Sequence, residues 1–252
     1  MIRTLIWFVY FFLYLLFISP FLLKAKSLEK YGEKEDYDAY IHGKASNWAR
    51  RLIRLAGGKV SVYGEKNIPA DEPVLFVSNH QGNFDIPVIL GHTNRKTGFI
   101  SKVEVRKIPL ISRWMKHLDC VFLDRADRRQ AVKSINEGAE TLANGRSLVI
   151  FPEGTRGKGK PIQEFKTGSF KLAMKSGVAI IPISIEGTYR LFEANQNKVN
   201  PGEVTITFGE PIRTHQTEKV SMGELAELTR DRIISNFREP KHIPGNDEKE
   251  GA

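Results

Sequence analysis

Beyond Gly57-Gly58, short apolar runs alternate with amphipathic stretches. KVSVYG (59–64), PVLFVS (73–78), GFIS (98–101), CVFLD (120–124), SLVIFP (147–152), VAIIPISIEG (178–187) and VTITFGEPI (204–212) have the length and bounding residues of strands. VRKIPLISRWMKH, RRQAVKSINEGAETLANG (128–145) and FKTGSFKLAMKSG (165–177) read as helices between them, and a last helix is expected over 222–237. Strands alternating with helices predict an α/β fold over 59–240, with a single largely parallel sheet flanked by helices. The charged end, 241–252, reads as a disordered tail. Pro182 interrupts the run AIIPISI, and a central strand disfavours proline. This position therefore predicts a sheet edge or a bend beside a cavity.

The first 58 residues follow another pattern. From Thr4 to Leu23 there is no charged residue, and Arg3, Lys24, Lys26 and Lys30 flank the segment. No small-residue cleavage site of a secretory signal follows it. If the helix weakens before Pro20, roughly 15 residues at about 1.5 Å each span about 22 Å, short of a bilayer core of about 30 Å. Membrane insertion is expected, with spanning and half-burial both open. In YDAYIHGKASNWARRLIRLAGG (37–58), Tyr37, Tyr40, Ile41, Ala45, Trp48, Leu52 and Leu55 recur at three- and four-residue spacing, while Arg50, Arg51 and Arg54 fall on another face. This pattern suits a helix lying at a lipid headgroup layer or one packed on the domain. Residues 1–58 are thus read as an N-terminal membrane-binding helical pair.

Charge narrows the list of partners. A formal net charge of +9 in 252 residues suits an anionic surface or phosphorylated substrates. Nucleic acid is disfavoured, because the basic residues flank apolar membrane-type segments instead of an aromatic-studded groove. Cys120 is the only cysteine, so no intrachain disulfide can form, and six scattered histidines match no zinc spacing. No metal and no cofactor are called for.

Two strand ends carry candidate chemistry. VLFVSNHQGNFD (74–85) runs from a buried strand into His80 and Asp85, where open α/β sheets place their ligands. Five residues apart on one helix, the two side chains would diverge by about 140°. They meet only if His80 lies in the loop and Asp85 at the start of the next helix, with Gly82 permitting the return. Asp85 would then fix the imidazole tautomer and leave the other nitrogen as a base. The plainer alternative is that Asp85 only caps the helix. VIFPEGTRGKGK (149–160) resembles part of a nucleotide-binding loop, but Pro161 stands where a magnesium-binding hydroxyl would be needed. Nucleotide hydrolysis is rejected. Phosphate-monoester binding through Arg156, Lys158, Lys160 and backbone amides is kept. VFLDRADRR (121–129) adds Arg125 at another strand end.

NHQGNFD, FLDR, FPEGTR and VAIIPISI occur in this order, each tied to an apolar strand end. In that set the sequence resembles the glycerophospholipid acyltransferases, and within them the short bacterial enzymes acting on 1-acylglycerol-3-phosphate. The resemblance covers roughly residues 37–212. Gly82 stands where such sequences often carry serine, and Asp119-Cys120 precedes the second motif. The resemblance implies transfer of a fatty acyl group from acyl-CoA or acyl-carrier protein to the 2-hydroxyl of lysophosphatidate. His80 would be the general base and Asp85 its orienting partner, while Glu153, Gly154, Thr155 and Arg156 would hold the acceptor. Arg156 and Arg125 would take its phosphate, and Lys102, just after a strand, is a further phosphate candidate by charge and placement. Cys120 would be a buried bystander. A backbone N–H near Gly82 would be the oxyanion donor, and Pro182 would shape a donor or acyl wall. The expected setting is the cytoplasmic membrane, with a monotopic anchor, an anionic phospholipid surface as partner and the catalytic domain facing the cytoplasm. Other acceptors (glycerol-3-phosphate or another lysophospholipid), a hydrolase using the same pair, and a non-catalytic protein binding anionic lipid remain as alternatives.

Overall fold

The computed structural model describes residues 1–124, 126–213 and 220–238. The tail expected to be disordered, 241–252, lies outside them.

Seven strands form one sheet: β1 (Gly58–Tyr63), β2 (Val74–Ser78), β3 (Thr97–Lys102), β4 (Val121–Leu123), β5 (Ser147–Ile150), β6 (Ala179–Glu186) and β7 (Gly202–Phe208), in the order β1-β7-β6-β2-β5-β3-β4. All neighbours are parallel except β6 and β7. Five adjacent strands therefore end at the same edge, and their exit loops share the place where such sheets bind ligands.

The buried run VLFVS is explained by cover on both faces, as parallel sheets require. Val74 and Phe76 pack into one hydrophobic cluster with the N-terminal helices, and Leu75 and Val77 pack into a second on the opposite face. The first face is covered by α1 (Ile2–Ile18), α3 (Lys34–Ala56), α4 (Asp85–His92) and α5 (Pro109–His117). The second is covered by α6 (Arg128–Ala143), α7 (Lys171–Ser176) and α8 (Met222–Ser235). Local chemistry starts these helices. The Asp127 side chain accepts from the Arg129 and Gln130 amides at the head of α6, and Ser221 and Glu224 form a reciprocal capping box on α8. The helix expected over 165–177 is α-helical only in its second half; Thr167–Phe170, with Gly168 and Ser169, forms a 3-10 turn.

Pro182 is not at an edge. β6 lies between β7 and β2, and Pro182 pairs in register with Val77. Its carbonyl accepts from the Gly209 amide at 2.8 Å, just past the last antiparallel pair, Ile183 with Phe208. A strand residue points its N–H and C=O to the same side. The missing N–H thus falls on the β7 side, at a one-residue slip between the Pro182–Gly209 bond and the antiparallel bridge of Ile180 with Ile212, and the ladder with β2 is intact.

The N-terminus contains three helices, because residues after Pro20 continue as α2 (Phe21–Tyr31). Among the described residues no single helix is long and apolar enough to cross a membrane, and α1 and α2 meet at a 46° bend. The hydrophobic cluster runs from α1 and α3 into the sheet without a break at residue 58.

Candidate active site

His80 leaves β2 two residues past its end, and the loop that carries it is tied down on three sides. Asn79 is buried and exchanges two hydrogen bonds with the Ile185 backbone of β6, at 2.9 and 2.8 Å. The His80 amide donates to Glu153 Oε1 at 2.7 Å, and its carbonyl accepts from the Gly157 amide at 2.7 Å. The Gln81 carbonyl takes the Lys158 amide at 3.1 Å.

Asp85, the first residue of α4, is fully buried. Its Oδ2 accepts from His80 Nδ1 at 2.6 Å, from the Gln81 amide at 2.6 Å and from the Gly82 amide at 2.9 Å, and its Oδ1 accepts from the Thr188 hydroxyl. These partners precede Asp85 in the chain or come from the 3-10 turn Thr188–Leu191 after β6. The carboxylate is therefore bonded back over its own loop and does not cap the helix amides ahead of it. An oxygen that already accepts two amides is an acceptor toward the ring too, so Nδ1 carries the proton and Nε2 keeps its lone pair. The imidazole stacks on Phe151, with centroids 4.1 Å apart and planes 18° from parallel, which fixes the remaining ring freedom.

Glu153 follows β5 and is buried. Its Oε1 holds the His80 amide and its Oε2 the Gln163 amide at 3.1 Å. Burial pushes its carboxyl above the ordinary range, while the two amides and His80 pull it back. Both oxygens are thus committed to the backbone, so Glu153 braces the histidine loop. Arg156, 40% exposed, directs Nη1 to Asn83 Oδ1 at 2.5 Å and to Glu193 Oε1 at 3.4 Å. Gly154 has φ +75°, in the left-handed region that favours glycine, and turns the chain between Glu153 and Arg156. Among the described residues, no group of His, Cys, Asp and Glu is placed to hold a metal ion.

A family model described as Acyltransferase matches residues 59–186. The chain belongs to the acyltransferase family. It is similar to the 1-acyl-sn-glycerol-3-phosphate acyltransferase of Chlamydomonas reinhardtii, at 39% identity over 75% of this chain and 55% of that protein. A probable 1-acyl-sn-glycerol-3-phosphate acyltransferase of Mycoplasma pneumoniae is 30% identical over 84% of both chains. The chain thus spans little more than half the length of the algal relative and most of the bacterial one. Among solved structures, the 1-acyl-sn-glycerophosphate (LPA) acyltransferase PlsC from Thermotoga maritima superposes with a TM-score of 0.78. Identity is 31%, over 93% of this chain and 95% of that one.

In this member of the acyltransferase family, the remaining candidate residues distribute unevenly. Thr155 is exposed beside Arg156, and Lys102 is exposed at the end of β3, on the same sheet edge two strands from His80. Arg125 lies outside the described residues. Cys120 is half-buried, its Sγ accepts from the Phe99 amide at 3.3 Å, and desolvation pushes its thiol up to about 12. That suits an inert residue. The Gly82 amide is unavailable as an oxyanion donor, since it and the Gln81 amide serve Asp85 while the Asn83 amide serves Glu193.

An apolar cavity of about 360 Å³ lies between α1, α3, α4 and α5, walled by aromatic rings including Trp7, Phe11, Trp48, Phe84 and Trp114. It reaches Asn83 and Ile86, which flank Asp85 on the histidine loop, and Ser101 at the end of β3. Pro182 is not among its walls. A second, more polar cavity of about 260 Å³ touches His80, Glu153 and Lys160. Thr188 and Glu193 were missed from sequence, though both follow an apolar strand end as His80 and Glu153 do.

Proposed function

We propose that this chain transfers a fatty acyl group from an acyl thioester, acyl-CoA or acyl-carrier protein, to the 2-hydroxyl of 1-acylglycerol-3-phosphate, giving phosphatidate. The observation that carries this is the His80–Asp85 pair, held in one tautomer beside an apolar cavity that opens toward the same loop. His80 Nε2 removes the proton of the acceptor hydroxyl as its oxygen attacks the thioester carbonyl carbon. The tetrahedral adduct collapses with cleavage of the C–S bond, and the departing thiolate takes the proton back from the imidazolium. Asp85 keeps Nδ1 protonated and balances the transient positive charge. Arg156, with Lys102 along the same edge, takes the acceptor phosphate, and Arg125 of the FLDR motif adds a further positive charge for it. Gly154 and Thr155 shape that loop, and Glu153 braces His80 from below. The aromatic cavity accommodates an acyl chain, since its walls are mostly apolar.

The names and similarity of the relatives support this acceptor over glycerol-3-phosphate or a lysophospholipid with a larger headgroup. The membrane reading rests on α1, whose outer side exposes Ile2, Leu5, Leu13, Leu16 and Phe17. A helix of this kind lies half-sunk in one leaflet, with the flanking lysines on anionic headgroups. Both thioester donors are cytosolic, so the domain faces the cytoplasm from a monotopic seat on the membrane.

The decisive experiment compares wild type with His80→Ala in detergent, supplying lysophosphatidate and labelled acyl-CoA or acyl-carrier protein, and follows phosphatidate. Loss of general-base catalysis lowers the rate by roughly 10²–10⁴-fold. A folded variant with wild-type turnover sinks the role of His80. Free fatty acid released without acceptor would make the protein a hydrolase.

A further inference from the structure

Glu193 lies outside every sequence motif yet is built into the loop that carries the reaction. It begins a 3-10 turn, Glu193–Asn195, beyond the end of β6, and its side chain is only 3% exposed. Oε1 accepts from the Asn83 amide at 2.7 Å and faces Arg156 Nη1 at 3.4 Å. Oε2 is buried without a hydrogen-bond partner among the described residues. It lies 2.4 Å from where a Cβ on Gly82 would sit, so the carboxylate occupies the space that a side chain at position 82 would take. Glycine at position 82 leaves the carboxylate this room. Desolvating a carboxylate is costly, and so is leaving one of its oxygens unpaired. A structural filler would be apolar, so the charge has a use.

We propose that Glu193 is a positioning residue for the acceptor phosphate, a reading that rests on the acyltransferase function above. Asn83 Oδ1 and Glu193 Oε1 both engage Nη1 of Arg156, on one side of the guanidinium. The opposite edge, Nε with Nη2, has no partner among the described residues and is the fork that binds a phosphate bidentately. Glu193 thereby fixes which edge of Arg156 faces the acceptor, and through the Asn83 amide it couples that edge to the histidine loop. The preceding ring, Phe192, packs on Phe8 of α1 with centroids 6.1 Å apart. The clamp is therefore seated directly beneath the proposed lipid-facing helix.

The test is a double-mutant cycle with full-length protein in detergent, lysophosphatidate as acceptor and acyl-CoA or acyl-carrier protein, whichever the wild type uses, as donor. Glu193→Gln keeps the shape and an acceptor for the Asn83 amide but removes the charge. Its KM for lysophosphatidate should rise on the order of tenfold, with kcat and the donor KM changed by less than about twofold, because a binding contact is lost and the base is untouched. In the Arg156→Ala background the same substitution should change nothing further. Glu193→Asp retains the charge and should recover part of the affinity; thermal melting of each variant shows that it is folded. An equal penalty with and without Arg156, or a fall in kcat at unchanged KM, overturns the proposal and makes Glu193 a brace of the loop alone. Unaltered kinetics in a folded Glu193→Gln protein overturn it as well. Absence of turnover by the wild type with either donor would overturn the parent reading, and this one with it.

Discussion

α1 and α3 are both helices with a continuous apolar stripe, yet they meet different surroundings. α3 buries Tyr37, Ile41, Ala45, Ala49, Leu52, Ile53 and Ala56 against the domain, chiefly against α4. α1 buries Trp7, Leu15 and Ile18 and leaves Leu5, Leu13, Leu16 and Phe17 at 59–69% exposure. The difference lies in side-chain size. Alanines at 45, 49 and 56 let another backbone approach, and opposite them α4 offers Gly91, where an added Cβ would meet Arg50 Cγ at 3.1 Å. The exposed side of α1 carries only large residues, which a fluid hydrocarbon phase can surround without any matching shape. An apolar stripe says that a helix is covered; its small residues say that the cover is protein.

The sharpest way to break this comparison is to remove the lipid-facing side of α1. Leu13→Ser with Leu16→Ser deletes two apolar side chains, each worth about 1.5–3 kcal/mol when buried in lipid, so partition onto anionic vesicles should fall by roughly 10²–10⁴-fold. Melting in detergent should stay within about 0.5 kcal/mol of wild type, because neither side chain touches the core. Sedimentation with phosphatidylglycerol-containing vesicles measures the first and calorimetry the second. Undiminished vesicle binding would remove α1 as the membrane seat.

The reciprocal substitution is Ala49→Leu in α3. Three added carbons at a fully buried alanine overpack the seam with α4 and should cost about 1–3 kcal/mol, a drop of roughly 2–4 °C in Tm for each kcal/mol. Vesicle partition should not change. If Ala49→Leu melts like wild type and binds vesicles more tightly, α3 faces lipid after all.

The sequence made some of this arrangement legible and concealed the rest for physical reasons. Strand positions were readable because a buried parallel sheet demands unbroken apolar runs, and the His80–Asp85 meeting was readable because a helix starting at Asp85 leaves one geometry for the pair. Pro182 misled because the rule against central proline concerns a lost ladder bond, and this proline sits where the pairing with the chain after β7 slips by one residue, so no regular ladder bond is lost. The continuation of α2 past Pro20 was missed, although proline is at home at the head of a helix. The arginine face of α3 suited either a headgroup layer or the domain, and Arg50 turns to the domain: its Nε donates to the Gly91 carbonyl at 2.5 Å. Asp119, unranked from sequence, closes an ion-pair set with Lys96 at 2.8 Å and Arg146 at 3.3 Å, a long-range grouping that no local pattern announces. Glu193 and Thr188 escaped for the same reason: each reaches a loop more than 100 positions away in the chain.

The smallest expected effect concerns the joint between the two helices. Trp7 Nε1 donates to the Leu52 carbonyl of α3 at 2.9 Å, while its ring stacks on Phe11 and lies 5.3 Å from Phe84, the residue before Asp85. Trp7→Phe keeps most of the ring packing and removes the hydrogen bond, so it should cost about 0.5–1.5 kcal/mol. If α1 is held to the domain by this seam alone, the loss should appear as faster amide exchange along α1, with α3 and the sheet unchanged, because local opening draws only on local contacts. Turnover should change by less than about twofold, since Asp85 is fixed by Thr188 and its own loop amides rather than by Trp7. Exchange that quickens equally in α1 and α3 would mean that the helices open as one unit. The contrast between a lipid-facing and a protein-facing helix would then be one of surface only, and the membrane seat would be as rigid as the core beneath it.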